Sequence, residues 1–188
     1  MNLPKELQTI FSDAKEELFK RDWFGSDWTA CSGHWDDPRY TDTVVLKLSK
    51  KNWSTVFPIT LYDGAEIHYA AWIDEKSFSK KELIFGMHVF AYPMINSKKV
   101  RKKDFTDWFR SEHGDTVQSW NYHTISMGPQ VPYAGRFKFD DLSEIQGFMV
   151  SDFSRFASLA TSIDERLTQL KEAYQVVAHN SGGCAPSA

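Results

Sequence analysis

Residues 65–92, AEIHYAAWIDEKSFSKKELIFGMHVFAY, decide the fold of this 188-residue chain, because they form two apolar segments joined by a charged connection. Successive side chains of a strand point to opposite faces, and in both segments each face is largely apolar. That pattern is typical of central strands covered on both sides rather than of an edge strand. The stretch therefore predicts a central hairpin. Its connection, residues 74–82, is long for a hairpin loop, which favours a helical turn within it.

The segments on either side of this hairpin predict an α+β architecture. Apolar residues at helical spacing indicate a first helix over residues 3–21, a short middle helix near Phe105 that ends at Gly114, and a long last helix over residues 151–177. Further strands are predicted at residues 28–32, 43–48, 53–62, 117–127 and 136–139. We expect an antiparallel sheet of five to seven strands, with the N- and C-terminal helices packed on one face.

The last helix carries a narrow apolar seam from Met149 to Val177, whose members recur at steps of four and three. A narrow seam suits a single helix partner, and the first helix offers apolar residues at the same steps. An intramolecular helix pair, and hence a monomer, is favoured over a homodimer formed through the seam.

Composition indicates one globular domain with many aromatic side chains. Hydrophobic residues make up 41% of the chain and aromatic residues 15%, which is enough to bury a core in a chain of this length. We expect a single domain over residues 1–179 and a flexible tail over residues 180–188. Four of the seven tryptophans lie early in the chain and form a candidate contact patch if they are exposed: Trp23, Trp28, Trp35 and Trp53.

The sequence favours a cytoplasmic protein without a membrane segment. The start, MNLPKELQTIF, lacks the apolar core of a secretory signal, and no run of apolar residues is long enough to span a bilayer. Cys31 and Cys184 make a poor disulfide framework and lack metal-motif spacing.

One candidate site lies within the hairpin itself. A symmetric hairpin places His68 opposite His88, with Glu66 two positions from His68. Two adjacent imidazoles and a carboxylate suit a divalent metal or acid–base chemistry. A third metal ligand would have to come from elsewhere, from His34 or His123. Strand histidines that are simply packed and hydrogen-bonded show the same pattern.

A second candidate set resembles the acid plus acid-x-lysine arrangement of metal-dependent nucleases. It consists of Asp63, Asp74 and Lys76, in which carboxylates would hold Mg²⁺ and the lysine would support the attacking water. Lys76, however, falls in the polar connection of the hairpin rather than within a strand. The pattern is also short enough to arise by chance.

A basic run before the middle helix is a candidate partner-binding surface. It comprises Lys98, Lys99, Arg101, Lys102 and Lys103, with Trp108 nearby as a stacking ring. The helix dipole disfavours cations at a helix start, so the stability of the helix does not explain the basic run. Nucleic acid is one candidate partner, although a sequence pI near 6.1 is unlike the basic footprint of most nucleic-acid-binding domains.

The motifs of the common enzyme classes are missing: there is no phosphate-binding glycine loop, dinucleotide fingerprint, GxSxG elbow or HExxH helix. The sequence therefore favours a small non-enzymatic binding or regulatory module that acts on another macromolecule, with a protein as the favoured partner and without a cofactor. The alternative is a metal-dependent hydrolase or nuclease that uses one of the two side-chain sets above.

Overall fold

The computed structural model describes residues 3–35, 42–64, 66–91, 102–120, 123–124, 128 and 130–181. These residues form six strands: β1 (Trp28–Trp35), β2 (Thr43–Lys50), β3 (Ile67–Asp74), β4 (Glu82–Val89), β5 (His123–Thr124) and β6 (Tyr133–Lys138). They form one antiparallel sheet in the order β1-β2-β3-β4-β6-β5. The sheet lies within the predicted range of strand number, and the predicted hairpin is at its centre.

The connection between β3 and β4 contains a short helix, α2 (Glu75–Ser79), as predicted. Asp74 caps this helix: its Oδ1 accepts a hydrogen bond from the Ser77 backbone N–H at 2.6 Å. The Ser77 hydroxyl oxygen in turn accepts from the Asp74 backbone N–H at 2.9 Å. Such a reciprocal capping box stabilises a helix start. In the hairpin that α2 connects, His68 pairs with His88.

The longer helices are α1 (Lys5–Leu18), α3 (Lys102–Gln118), α4 (Ser143–Ala157) and α5 (Ala160–Ser181). Helix α1 packs against β1, β2 and α4, and α4 packs against β3 and β4. The Tyr69 hydroxyl donates to the Phe156 backbone carbonyl at 3.0 Å, and the Phe85 and Phe153 rings lie 4.7 Å apart. The predicted α+β fold, with N- and C-terminal helices on one face of the sheet, is confirmed.

The strand predicted over residues 53–62 is wrong. The chain instead forms a 3-10 turn (Lys51–Trp53) and then a loop, and β2 pairs directly with β3. Pro58 has no backbone N–H to donate to a ladder, which weighs against a strand there. The apolar pattern has another cause, since Trp53 and Ile59 are buried without being part of the sheet.

The middle helix is longer than predicted and continues past Gly114 to Gln118. A Cβ at Gly114 would meet no atom within 4 Å, so the glycine lies in open space and only weakens the helix, by about 1 kcal/mol. Burial of His113 and Val117 on either side offsets that cost. The strand predicted over residues 117–127 is accordingly short: β5 covers only His123–Thr124, and residues 121–122 and 125–127 lie outside the described residues.

The single long helix predicted over residues 151–177 is two helices, α4 and α5, separated by a turn at residues 158–159. The apolar seam nevertheless continues across the turn, because Phe156 on α4 and Ile163 on α5 are both buried. Helix α1 pairs with α4, and near this contact the Trp23 Nε1 donates to the Ser154 hydroxyl at 3.2 Å.

The C-terminal part of the chain is only partly described. Helix α5 ends at Ser181, inside the segment predicted as a tail, and residues 182–188 lie outside the described residues. None of the helices that the described residues form is long and apolar enough to cross a membrane.

Asp164 on α5 ties this helix to the end of β2. Its carboxylate accepts hydrogen bonds from Lys50 Nζ at 2.6 Å, Asn52 Nδ2 at 2.8 Å and Trp53 Nε1 at 2.6 Å. Lys50 also forms an ion pair with Asp27 at 3.0 Å. Burial lowers the pKa of Lys50, but the hydrogen bonds that Lys50 donates to Asp164 and Asp27, together with the negative charges of these residues, outweigh burial and hold this pKa above its usual value.

Replacement of Asp164 by alanine should lower the free energy of unfolding by about 2–3 kcal/mol, because it leaves Lys50 and the Trp53 N–H without their shared acceptor. The measurement is urea unfolding at pH 7. A raised lysine pKa stabilises the fold below the unfolded value of 10.5, and this contribution is lost as the pH rises through the folded pKa. The difference in unfolding free energy between Asp164→Ala and wild type should therefore shrink as the pH rises through the folded pKa of Lys50. Asp115→Ala, at an exposed position of α3, is the control and should change stability by less than about 0.5 kcal/mol.

Candidate functional site

The sheet has a second face, opposite α1 and α4, which we call the cavity face. Residues of β2, β3 and β4 that alternate with the core residues point to it. One row of cross-strand neighbours on this face runs from Lys47 to Ala70, Gly86 and Ala134. Because Ala70 has a small side chain, the row leaves a depression beside Lys47.

This depression is part of a cavity of about 290 Å³. Its lining combines aromatic, aliphatic and polar side chains: Trp35, Trp72 and Phe90; Val45, Ala70 and Val131; Thr43, Lys47, His68, Asp74 and His88. Gly86 is required at its position by the approach of β6, because a Cβ there would lie 2.8 Å from the Tyr133 carbonyl oxygen. The volume is at the lower end of the range for ligand pockets, roughly 300–1,000 Å³.

His68 and His88, the histidine pair, lie side by side at one end of the cavity, as the hairpin register predicted. The His88 Nδ1 and the His68 Nε2 are 3.2 Å apart and share a hydrogen bond, so one nitrogen of each ring is engaged. Only 1% of His68 is exposed. The His88 ring also packs against Trp72 and Phe90, with centroids 5.3 and 5.5 Å away.

Glu66 and His34, which were proposed to complete a metal site with the histidine pair, have other partners. Glu66 accepts a hydrogen bond from the Thr55 hydroxyl and does not line the cavity. His34 bonds Asp42, and the side chain of His123 lies outside the described part of the chain. Within the described residues, no three or more histidine, cysteine, aspartate or glutamate side chains are grouped so that they could hold a metal ion.

Burial in the cavity wall keeps His88 neutral. It lowers the pKa of His88 from 6.5 to about 4, and the positive charge of Lys47 acts in the same direction. At neutral pH the imidazole therefore serves as a hydrogen-bond donor and acceptor without charge.

Lys47 also lines the cavity, although no sequence motif predicted it as a site residue. It is 2% exposed, its Nζ donates to the Leu61 carbonyl, and the same atom lies 4.3 Å from the centroid of the Trp35 ring. Burial lowers its pKa. A signal was present in the strand sequence TVVLKLSK, where a lysine stands between two leucines that are themselves in the core. Next to it, Cys31 is a free thiol whose pKa burial raises to about 11.

The second candidate set is not gathered into the cavity. Asp74 lines the cavity and caps α2, but Asp63 is exposed in the loop between β2 and β3, and Lys76 is exposed on α2. Neither Asp63 nor Lys76 lines the cavity.

The basic run falls largely outside the described residues, which exclude Lys98, Lys99 and Arg101. Of the remainder, Lys102 begins α3, and Lys103 forms an ion pair with Asp107 one turn later. Trp108 is half-buried, and its ring lies 5.1 Å from Phe105, 5.6 Å from His113 and 5.7 Å from the Arg166 guanidinium. The tryptophan thus packs between α3 and α5. Its proposed role as a stacking ring remains a prediction.

The predicted tryptophan patch divides into two parts. Trp23, Trp28 and Trp53 stack edge to face in series towards Tyr69, with successive centroids 5.3, 5.5 and 5.3 Å apart, so these rings belong to the packing under the helices. Trp35 stands apart on the cavity wall.

Comparisons of the chain with protein-family models, with curated proteins and with solved structures found no match.

The cavity predicts opposite responses to the same substitution at two adjacent positions. Ala70→Val adds methyl groups to the cavity, where each buried carbon contributes about 0.8 kcal/mol, so stability should stay constant or rise slightly. Ala71→Val, one residue away on the fully packed helix side, should cost about 1–3 kcal/mol. Urea unfolding of both variants measures the difference. Equal losses at the two positions would mean that the space beside Ala70 is filled.

The neutral state of His88 predicts a loss of stability in acid. Its folded pKa of about 4 lies below the usual histidine value of 6.5, so the unfolded chain takes up the proton first as the pH falls. The contribution is therefore complete above pH 6.5 and is lost towards pH 4, by up to about 3 kcal/mol. His88→Gln introduces an amide that can form a hydrogen bond with His68 but cannot titrate. Below pH 6.5, the unfolding free energy of this variant should therefore fall less steeply with decreasing pH than that of wild type. Identical slopes for variant and wild type would contradict this assignment.

Proposed function

We propose that this chain is a non-enzymatic binding module and that its cavity face receives a segment of another protein. The observation that carries the proposal is an open cavity with aromatic walls, bordered by exposed aromatic side chains. Phe90 lines the cavity and is 41% exposed. Tyr62 is 61% exposed and packs edge to face on Trp35, which also lines the cavity. Exposed aromatic residues beside a pocket are typical anchors of protein interfaces.

The positive charge of Lys47 supports a binding partner that carries a negatively charged group. Lys47 has no carboxylate partner among the described residues, although it is almost completely buried. Asp74, the acidic residue in the lining, is already engaged by the backbone of α2. An anionic group of the partner would therefore meet an uncompensated ammonium on this face.

A metal-dependent hydrolase or nuclease remains the alternative, and the adjacent imidazoles of His68 and His88 favour it. It needs at least one more ligand than the described residues provide. Under either proposal we expect a cytoplasmic monomer, for which the free thiol of Cys31 and the packing of α1 on α4 within one chain are the support.

The proposed function is tested with a library of soluble random peptides with free termini, selected on the immobilised full chain and identified by mass spectrometry. Phe90→Ser should weaken the enriched peptides by about tenfold or more, because removal of an aromatic anchor costs more than roughly 1 kcal/mol. Phe19→Ser is the matched control: Phe19 is equally exposed, at 42%, but lies at the end of α1 and does not line the cavity. This control should bind like wild type.

Two results would overturn the proposal. One is that no peptide is enriched over beads without protein. The other is that Phe19→Ser and Phe90→Ser weaken the enriched peptides equally, which would place binding elsewhere on the molecule.

A further inference from the structure

We infer that Lys47 receives the C-terminal carboxylate of the bound segment, while the aromatic walls of the cavity receive the side chain of its last residue. This inference rests on the proposed function and adds the chemistry that the cavity recognises: an apolar residue at the end of a chain.

The first argument is the condition of the Lys47 ammonium. An ammonium has three N–H donors, and the described residues provide one carbonyl, that of Leu61, and the face of Trp35. Lys50, three residues further along the same strand, has the carboxylate partners that Lys47 lacks among the described residues, because it forms ion pairs with both Asp164 and Asp27. A buried charge without a carboxylate partner is unfavourable. The negative group of a bound ligand would neutralise the Lys47 ammonium and remove this cost.

The second argument is the position of the acidic residue that also lines the cavity. Asp74 pairs with Thr43, and Lys47 pairs with Ala70, so the two rows are four residues apart along β3. At 3.2–3.4 Å per residue the Cα atoms of the two rows are about 13 Å apart. Among the described residues, Lys47 and Asp74 form no ion pair with each other. An anion in the cavity therefore gains most beside the Lys47 ammonium, which lies over the Trp35 ring.

The third argument concerns the size and chemistry of the cavity. A volume of about 290 Å³ holds one side chain rather than a length of peptide. Trp35, Trp72 and Phe90 favour an apolar body, whereas Lys47 favours a negative charge. Within a chain a residue is either apolar or anionic, but the last residue of a chain combines an apolar side chain with a carboxylate. Capture of a terminal carboxylate is an established mode of peptide recognition.

The pKa of Lys47 agrees with this geometry. Burial lowers it, and a carboxylate placed beside the ammonium would raise it again, because an opposite charge favours the charged form.

The test uses fluorescein-labelled hexapeptides of sequence GSGSAF, prepared with a free C-terminal carboxylate and as the C-terminal amide, and binding to the full chain is followed by fluorescence anisotropy. The free acid should bind the wild-type protein at least about tenfold more tightly than the amide. Because this comparison uses only wild-type protein, it does not depend on the folding of any variant. Equal affinities of acid and amide would overturn the inference but leave the proposed function intact, since a peptide still binds.

Two variants test whether the difference in affinity between the free acid and the amide depends on the Lys47 ammonium. Lys47→Met should reduce the affinity for the free acid to that for the amide. Lys51→Met removes the same charge from an exposed position outside the cavity and should leave the affinity unchanged. If Lys47→Met binds the acid as tightly as wild type does, Lys47 is not the anion site. A third measurement uses 3-phenylpropanoate, which combines an aromatic ring with a carboxylate. If it binds as tightly as the free-acid peptide, the cavity is a small-molecule site, and the inference that it receives the C-terminus of a protein is overturned.

Discussion

The alternation of side chains along β3 and β4 is the constraint on which the rest of the structure depends. Tyr69 and Phe85 point towards the helices, where they contact the backbone and the rings of α4. His68 and Ala70, on either side of Tyr69, point to the cavity face. A register shift of one residue would exchange the two sets and place an imidazole in the apolar core. The capping box at Asp74 opposes such a shift, because it fixes where β3 ends and α2 begins.

The two faces of the sheet contribute to stability in opposite ways. On the helix side, fully buried aromatic and aliphatic side chains supply the burial that holds the fold together. The cavity face carries costs instead: an ammonium without a carboxylate partner in the described part of the chain, the buried imidazole of His68, and unfilled volume. Local costs of this kind persist at functional sites when the remainder of the molecule outweighs them. The cavity face is thus where a binding role is expected on energetic grounds alone.

The central hairpin was predictable because period-two alternation leaves few alternatives over eight residues, and the pairing of His68 with His88 followed from it. Features that depend on tertiary packing were not. The turn between α4 and α5 interrupts the helix without interrupting its apolar seam, so the spacing of apolar residues carries no sign of it. Trp53, at the end of the 3-10 turn, and Ile59, in the loop that follows, are buried outside the sheet, and their apolar side chains give the segment the pattern of a strand. The sequence shows a lysine at position 47, but only the packing of Leu61 and Trp35 around it makes it a buried charge.

The charge of the cavity separates the two functions that the sequence left open. A divalent cation held by the histidine pair would share the cavity with the Lys47 ammonium. That ammonium already lowers the pKa of His88, which means that it repels one added positive charge at this ring. A divalent ion carries twice the charge and is repelled about twice as strongly, whereas a carboxylate gains from the same field. The charge of the cavity therefore supports the proposed ligand, which brings negative charge, more than it supports a divalent cation.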